Sequence, residues 1–155
     1  MYTSREQSKY LIDAGIDPKS ADMMVVAGRG KDPFKAWNPI SKSIENCRKY
    51  EGKDYMPVWS DEALIDMLPR EIINPKVMTH DEITGKDINL RYELNIKKRI
   101  IPGRGKFNLV CYTDPTDGSM CVDMAYLSPK FTDALIIAVV EILCHREKDV
   151  VNYVW

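Results

Sequence analysis

Only two histidines, His80 and His145, occur in the 155 residues, and neither stands among clustered cysteines or carboxylates. A metal centre needs several such ligands gathered together, so no metal is expected, and no other pattern points to a cofactor. Cysteine is sparse and unpaired in spacing. Cys47, Cys111, Cys121 and Cys144 fit thiols kept as small apolar side chains in a reducing compartment rather than a disulfide framework. Net charge is nearly absent. The 22 basic residues against 23 acidic ones leave -1, so no global field draws the chain to nucleic acid or to an anionic membrane, and either would need a local patch. The longest apolar stretch, Ala134 to Cys144, is broken by Glu141 and falls short of the roughly 20 residues that span a bilayer. Met1 to Gly15 carries Arg5, Glu6, Lys9 and Asp13 at helical spacing, without the apolar centre of a secretion signal. We therefore expect a cytoplasmic protein with no membrane partner. Its length and 45% hydrophobic content suit one sizeable core, so residues 1–155 are read as a single domain.

What is present is a legible succession of local signals. Thr3 and Glu6 form a capping box for a helix over Ser4 to Ala14, which Gly15 ends while Ile16 folds back on Leu11. Asp17 caps a short second helix that Pro18 begins and that runs to about Met23; Met23 to Ala27 reads as a strand. Residues 28–57 read as an irregular connecting region, with a helix placed over Ser41 to Tyr50. Ser60 caps the next helix, which Trp59 staples onto Leu64 and which stops at Leu68 before Pro69. From Ile88 the period becomes two, with Ile88, Leu90, Tyr92, Leu94 and Ile96 alternating with polar residues. Phe107 to Thr113 and Met120 to Tyr126 are two further strands joined through Asp114 to Gly118, residues suited to a tight turn. Val77 to Ile83 adds an edge strand, and in one of two registers Cys111 faces Cys121. Ser128 and Pro129 then cap and begin a long helix to about Glu147. The expected fold class is α+β: an antiparallel three- to four-stranded meander with N-terminal helices and a C-terminal helix packed on one face.

Several of these segments, namely Tyr2 to Ser4 with Gln7, Leu11 with Gly15, Asp17 to Met23, Pro57 to Ser60, Leu64, and Leu68-Pro69, resemble a group of short uncharacterised proteins. That group occurs in prophages and mobile elements of gut anaerobic bacteria. The stretch around Thr132, Asp133, Ala134 and Leu135 is also similar, whereas Gly28 to Tyr55 and Arg70 to Asp87 find no counterpart there. The resemblance implies a bacterial or phage setting and carries no activity, cofactor or catalytic residue.

The sequence offers three kinds of candidate site. The last long helix is apolar nearly all round: Phe131, Leu135, Ala138 and Ile142 share one face, and Ile136, Val140 and Leu143 the opposite one. Such a helix needs cover on two sides, from the chain itself or from a second molecule. With the apolar tail Val150, Val151, Tyr153, Val154 and Trp155, it makes Ile136, Val140, Leu143, Tyr153 and Trp155 the candidate interface to another copy or another protein. The second site is basic. Lys97, Lys98, Arg99, Arg104 and Lys106 occupy a hairpin with no acid between Glu93 and Asp114, which could contact phosphates, although solvated lysines at a hairpin tip are the commoner meaning. Its Gly-Arg-Gly-Lys run recurs at Gly28 to Lys31, but neither copy has the spacing of a phosphate loop. The third is acid-base chemistry by His80 with Asp81 and Glu82, or by Asp114, Asp117 and Asp123; turn geometry explains Asp114 and Asp117 as well, and no catalytic set is assigned. The expectation is a non-enzymatic interaction module of a phage or mobile element, possible partners being itself or another protein. The alternative is a nucleic-acid-binding accessory protein using the basic hairpin.

Overall fold

The first helix, α1 (Arg5–Asp13), begins one residue later than Thr3 would set it. Ser4 is the cap: Gln7 N donates to Ser4 Oγ at 3.3 Å and Ser4 N donates to Gln7 Oε1 at 2.6 Å. Thr3 is drawn elsewhere, because its buried hydroxyl lies 2.7 Å from Ser8 Oγ and accepts from Trp59 N at 3.1 Å. The helix end follows the sequence reading. Gly15 takes φ +98°, Gly15 N donates to the Ile12 carbonyl and Ile16 N to the Leu11 carbonyl, both at 3.0 Å, and Leu11 and Ile16 are buried together in the core.

The computed structural model describes residues 1–81, 84–145 and 152–155, and the chain is α+β with two antiparallel sheets. It forms two compact units, Met1–Asp66 and Met67–Trp155.

In the first unit, the short helix after Asp17 is a single 3-10 turn, Pro18–Ser20. The strand expected next is β1 (Met23–Val26), central in a sheet of order β2-β1-β3 with β2 (Ile40–Ser41) and β3 (Tyr55–Val58). Together with α2 (Ile44–Lys49), these strands correct the reading of residues 28–57 as irregular. Pro57 disguises β3. A proline cannot donate to a ladder, yet β3 is an edge strand, where a missing N–H is harmless. Next comes α3 (Asp61–Asp66), with Ala63 N donating to Ser60 Oγ at 3.1 Å. The buried indole of Trp59 donates to Ser20 Oγ at 3.0 Å, and Ser60 N to Asp22 Oδ1 at 2.8 Å.

The second unit holds a five-stranded sheet of order β7-β6-β5-β4-β8, wider than the three or four strands expected. Its strands are β4 (Glu71–Asp81), β5 (Lys86–Ile101), β6 (Gly105–Thr113), β7 (Met120–Ser128) and β8 (Asn152–Val154), every neighbouring pair antiparallel. Two segments account for the excess. The strand looked for at Val77 to Ile83 begins earlier, at Glu71, and is no edge, since β8 pairs with Glu71, Ile72 and Ile73; Glu82 and Ile83 lie outside the described residues. Helix α4 (Phe131–Val140) packs against β6 and β7 and continues into a π-helical turn, Glu141–His145. Ser128 does not cap it. That residue is the last of β7, and Lys130 occupies the cap position without a side-chain bond. Cys111 pairs with Ala125 rather than Cys121, because the β6–β7 register shifts between Cys111 and Thr113. None of the four cysteines is in a disulfide, and burial raises the pKa of Cys111, keeping it protonated.

Candidate nucleic-acid interface

The basic segment is the outer end of the β5–β6 hairpin, and local chemistry explains why it stands apart from the sheet. On one side, β4 pairs with β5 only as far as Glu71↔Glu93, and Arg70 closes the ladder by accepting from Leu94 N at 2.9 Å. On the other, the first β6–β7 pair is Asn108↔Ser128, and Pro129, which has no N–H to give, follows. Asn108 locks this corner by donating its side-chain amide to the Pro129 carbonyl at 2.9 Å. Beyond it, Arg99, Ile100 and Ile101 pair only with Phe107, Lys106 and Gly105. A two-stranded ribbon therefore extends about 10 Å past the third strand, at roughly 3.3 Å per residue. Its tip is a tight turn. Arg104 N donates to the Ile101 carbonyl at 2.9 Å, and Pro102 with Gly103, at φ +74°, fill the two central places of a type II turn.

The pleat divides the five cations. Lys97 and Arg99 lie on the face that carries Leu109 and Phe107, their cross-strand partners, while Lys98 and Lys106 lie on the opposite face with Ile100 and Asn108. Arg104 occupies the turn. Lys98, Arg99, Arg104 and Lys106 are exposed and Lys97 is half-buried. Phe107 stands across the ladder from Arg99, a neighbour that only the strand register provides. Ile100 was missed in the sequence reading, although it is 75% exposed at the ribbon's end.

The candidate association surface fares differently. Ile136 and Val140 are only 4% and 1% exposed, so neither presents a surface to a partner. Leu143 is half-buried, and of α4 only Ile137 is exposed. Tyr153 is half-buried on the edge strand β8, with its ring centroid 6.2 Å from that of Trp155, which is 60% exposed. The side chains of Val150 and Val151 lie outside the described residues, as do those of His80, Asp81, Glu82, Asp123 and His145.

Asp114 and Asp117 serve their turn. Asp114 Oδ1 accepts from Thr116 N and Asp117 Oδ1 from Ser119 N, each at 2.7 Å, and the Ser119 N–H bond holds the Asp117 carboxyl below its ordinary pKa. The earlier Gly-Arg-Gly-Lys copy lies in a loop closed by Gly28 N donating to the Pro33 carbonyl at 2.7 Å. Among the described residues no three His, Cys, Asp or Glu side chains gather as a metal ion would require, and no helix is long and apolar enough to cross a membrane.

No family model matches the chain, and neither a curated protein nor a solved structure shows significant similarity to it.

Proposed function

We propose that this protein is a non-enzymatic accessory protein of a phage or mobile element that binds nucleic acid through the β5–β6 ribbon. The observation that carries this reading is the acid-free end of the β5–β6 hairpin, with Arg99, Arg104 and Lys106 on the two-stranded projection and Lys97 and Lys98 at its base, where β7 still pairs with β6. A major groove about 12 Å wide admits a two-stranded ribbon. Inside it the pleat becomes an advantage, because cations on both faces can meet the phosphates of both groove walls. The exposed Ile100 gives the ribbon an apolar side chain that can lie against thymine methyl groups in that groove. The phage or mobile-element setting rests on the resemblance of residues 2–23, 57–69 and 132–135. The test is fluorescence anisotropy with labelled duplex and single-stranded DNA. Binding that weakens with salt and with Arg99→Ala, Arg104→Ala and Lys106→Ala is expected; salt-independent binding, or none, rejects the proposal.

A second reading is favoured by one observation, the exposed Trp155 beside Tyr153 on a three-residue edge strand. Here the partner is another copy or another protein, and the surface is Tyr153 and Trp155 at the β8 edge. Light scattering of the protein and of Trp155→Ser tests it, and a strict monomer at high concentration removes self-association.

A further inference from the structure

The first unit contains a cleft that neither reading uses. It has a volume of about 300 Å³, at the small end of ligand sites. Its floor is apolar, made by Met24 and Val26, which lie two apart on β1 and so share a face. Tyr55 stands on that same face, across the ladder from Val26. Tyr50 contributes from the end of α2.

The rim is cationic. Lys19, Lys42 and Lys53 line the cleft against a single carboxylate, Glu51. Two of these lysines are held in place rather than waving in solvent. Lys42 Nζ sits 5.4 Å from the centroid of the Tyr55 ring and donates to the Pro18 carbonyl at 3.1 Å. Lys53 Nζ lies 5.6 Å from the Tyr50 centroid, and Lys49 Nζ, just outside, lies 5.4 Å from it. No carboxylate among the described residues comes within ion-pair distance of Lys42; Asp17 and Asp22 act on it only from further away. Burial disfavours its charge and lowers its pKa. A part-buried ammonium compensated by a carbonyl and a ring is stabilised further when an anion arrives.

We propose that this cleft binds a small organic anion, with its apolar or aromatic body on Met24, Val26 and Tyr55 and its phosphate or carboxylate group at Lys42 and Lys53. The two halves explain each other: the apolar floor gives shape and burial, and ring-anchored lysines reach the anion with little further loss of side-chain freedom.

Titrations followed by backbone NMR test the inference on the intact 155-residue chain. The probes are phenyl phosphate, benzoate, inorganic phosphate and benzyl alcohol. Phenyl phosphate or benzoate is expected to bind with a Kd of about 1 mM or tighter, shifting the amides of Cys47, Tyr50 and Tyr55. Whichever of the two binds more tightly identifies the anionic group. Inorganic phosphate, without a body, and benzyl alcohol, without a charge, should each bind about tenfold more weakly. Lys42→Met and Lys53→Met should each weaken the better probe about tenfold; Lys53 is exposed, so its variant stays informative should loss of Lys42 disturb folding. The inference is overturned if neither aromatic anion shifts these signals, if inorganic phosphate or benzyl alcohol binds as well as they do, or if a folded Lys53→Met binds unchanged.

Discussion

Removing Arg99, Arg104 and Lys106 together tests the ribbon most sharply, because the structure sets the size of the effect. Three cations on the ribbon and two at its base allow five phosphate contacts, and each contact releases counterions. The logarithm of the association constant should then fall with the logarithm of salt concentration at a slope of about -4.5 for duplex DNA. Raising salt from 50 to 200 mM would weaken binding about 500-fold. With only Lys97 and Lys98 left, the slope should shrink to about -1.8 and the loss over the same range to about 12-fold. The three residues are exposed, so their removal should change folding stability by no more than about 0.5 kcal/mol. Anisotropy titrations at four or five salt concentrations read the slope directly, and circular dichroism confirms the fold. A matched control removes the same charge elsewhere, as Lys9→Ala with Arg29→Ala and Arg48→Ala, all exposed in the first unit. If both triple variants lose affinity and slope alike, net charge rather than the ribbon governs binding and the reasoning fails.

Further outcomes follow from buried groups. Tyr112 is fully buried, its hydroxyl donates to the Pro69 carbonyl at 2.8 Å, and burial raises its pKa well above the ordinary tyrosine value. The unfolded chain therefore releases this proton first, so stability should fall by about 1.4 kcal/mol per pH unit once pH rises past about 10. In Tyr112→Phe that alkaline slope should become shallower by one proton, while stability at neutral pH drops by about 1 to 3 kcal/mol because the Pro69 carbonyl loses its donor; urea unfolding across pH measures both, and an unchanged slope contradicts the assignment. Thr3→Val keeps the shape but leaves Trp59 N and Ser8 Oγ without the Thr3 hydroxyl, which should cost about 1 to 3 kcal/mol in chemical denaturation. Gly15→Ala meets no atom within 4 Å, so its cost, about 1 to 2 kcal/mol, is that of the left-handed backbone alone. A neutral or stabilising result there would mean that the helix end relaxes.

Legibility followed distance along the chain. The end of α1 was readable because Leu11, Ile12, Gly15 and Ile16 bond within six residues, and the period-two run from Ile88 named β5 outright. The turn at Asp114 to Gly118 was equally plain, its carboxylates bonding two residues onward. Errors arose where two local solutions compete. Thr3 and Ser4 both fit a helix cap, and what separates them is Trp59, 56 positions away, which claims the Thr3 hydroxyl. Strand β3 hid behind Pro57, since nothing local says that its ladder partner lies on one side only.

The candidate sites divide in the same way. The basic composition of the hairpin is printed in the chain, whereas its projection depends on where Glu71 and Ser128 end their ladders with β5 and β6. Likewise the apolar excess of α4 was visible, but the burial of Ile136 and Val140 was not. Composition, caps, turns and strand periods are fixed by atoms a few residues apart, and these the chain states on its own. Strand register, the faces that become covered, and the meeting of Lys42 with Tyr55 or Arg99 with Phe107 arise only on folding, because they join segments whose separate chemistry is compatible with many other pairings.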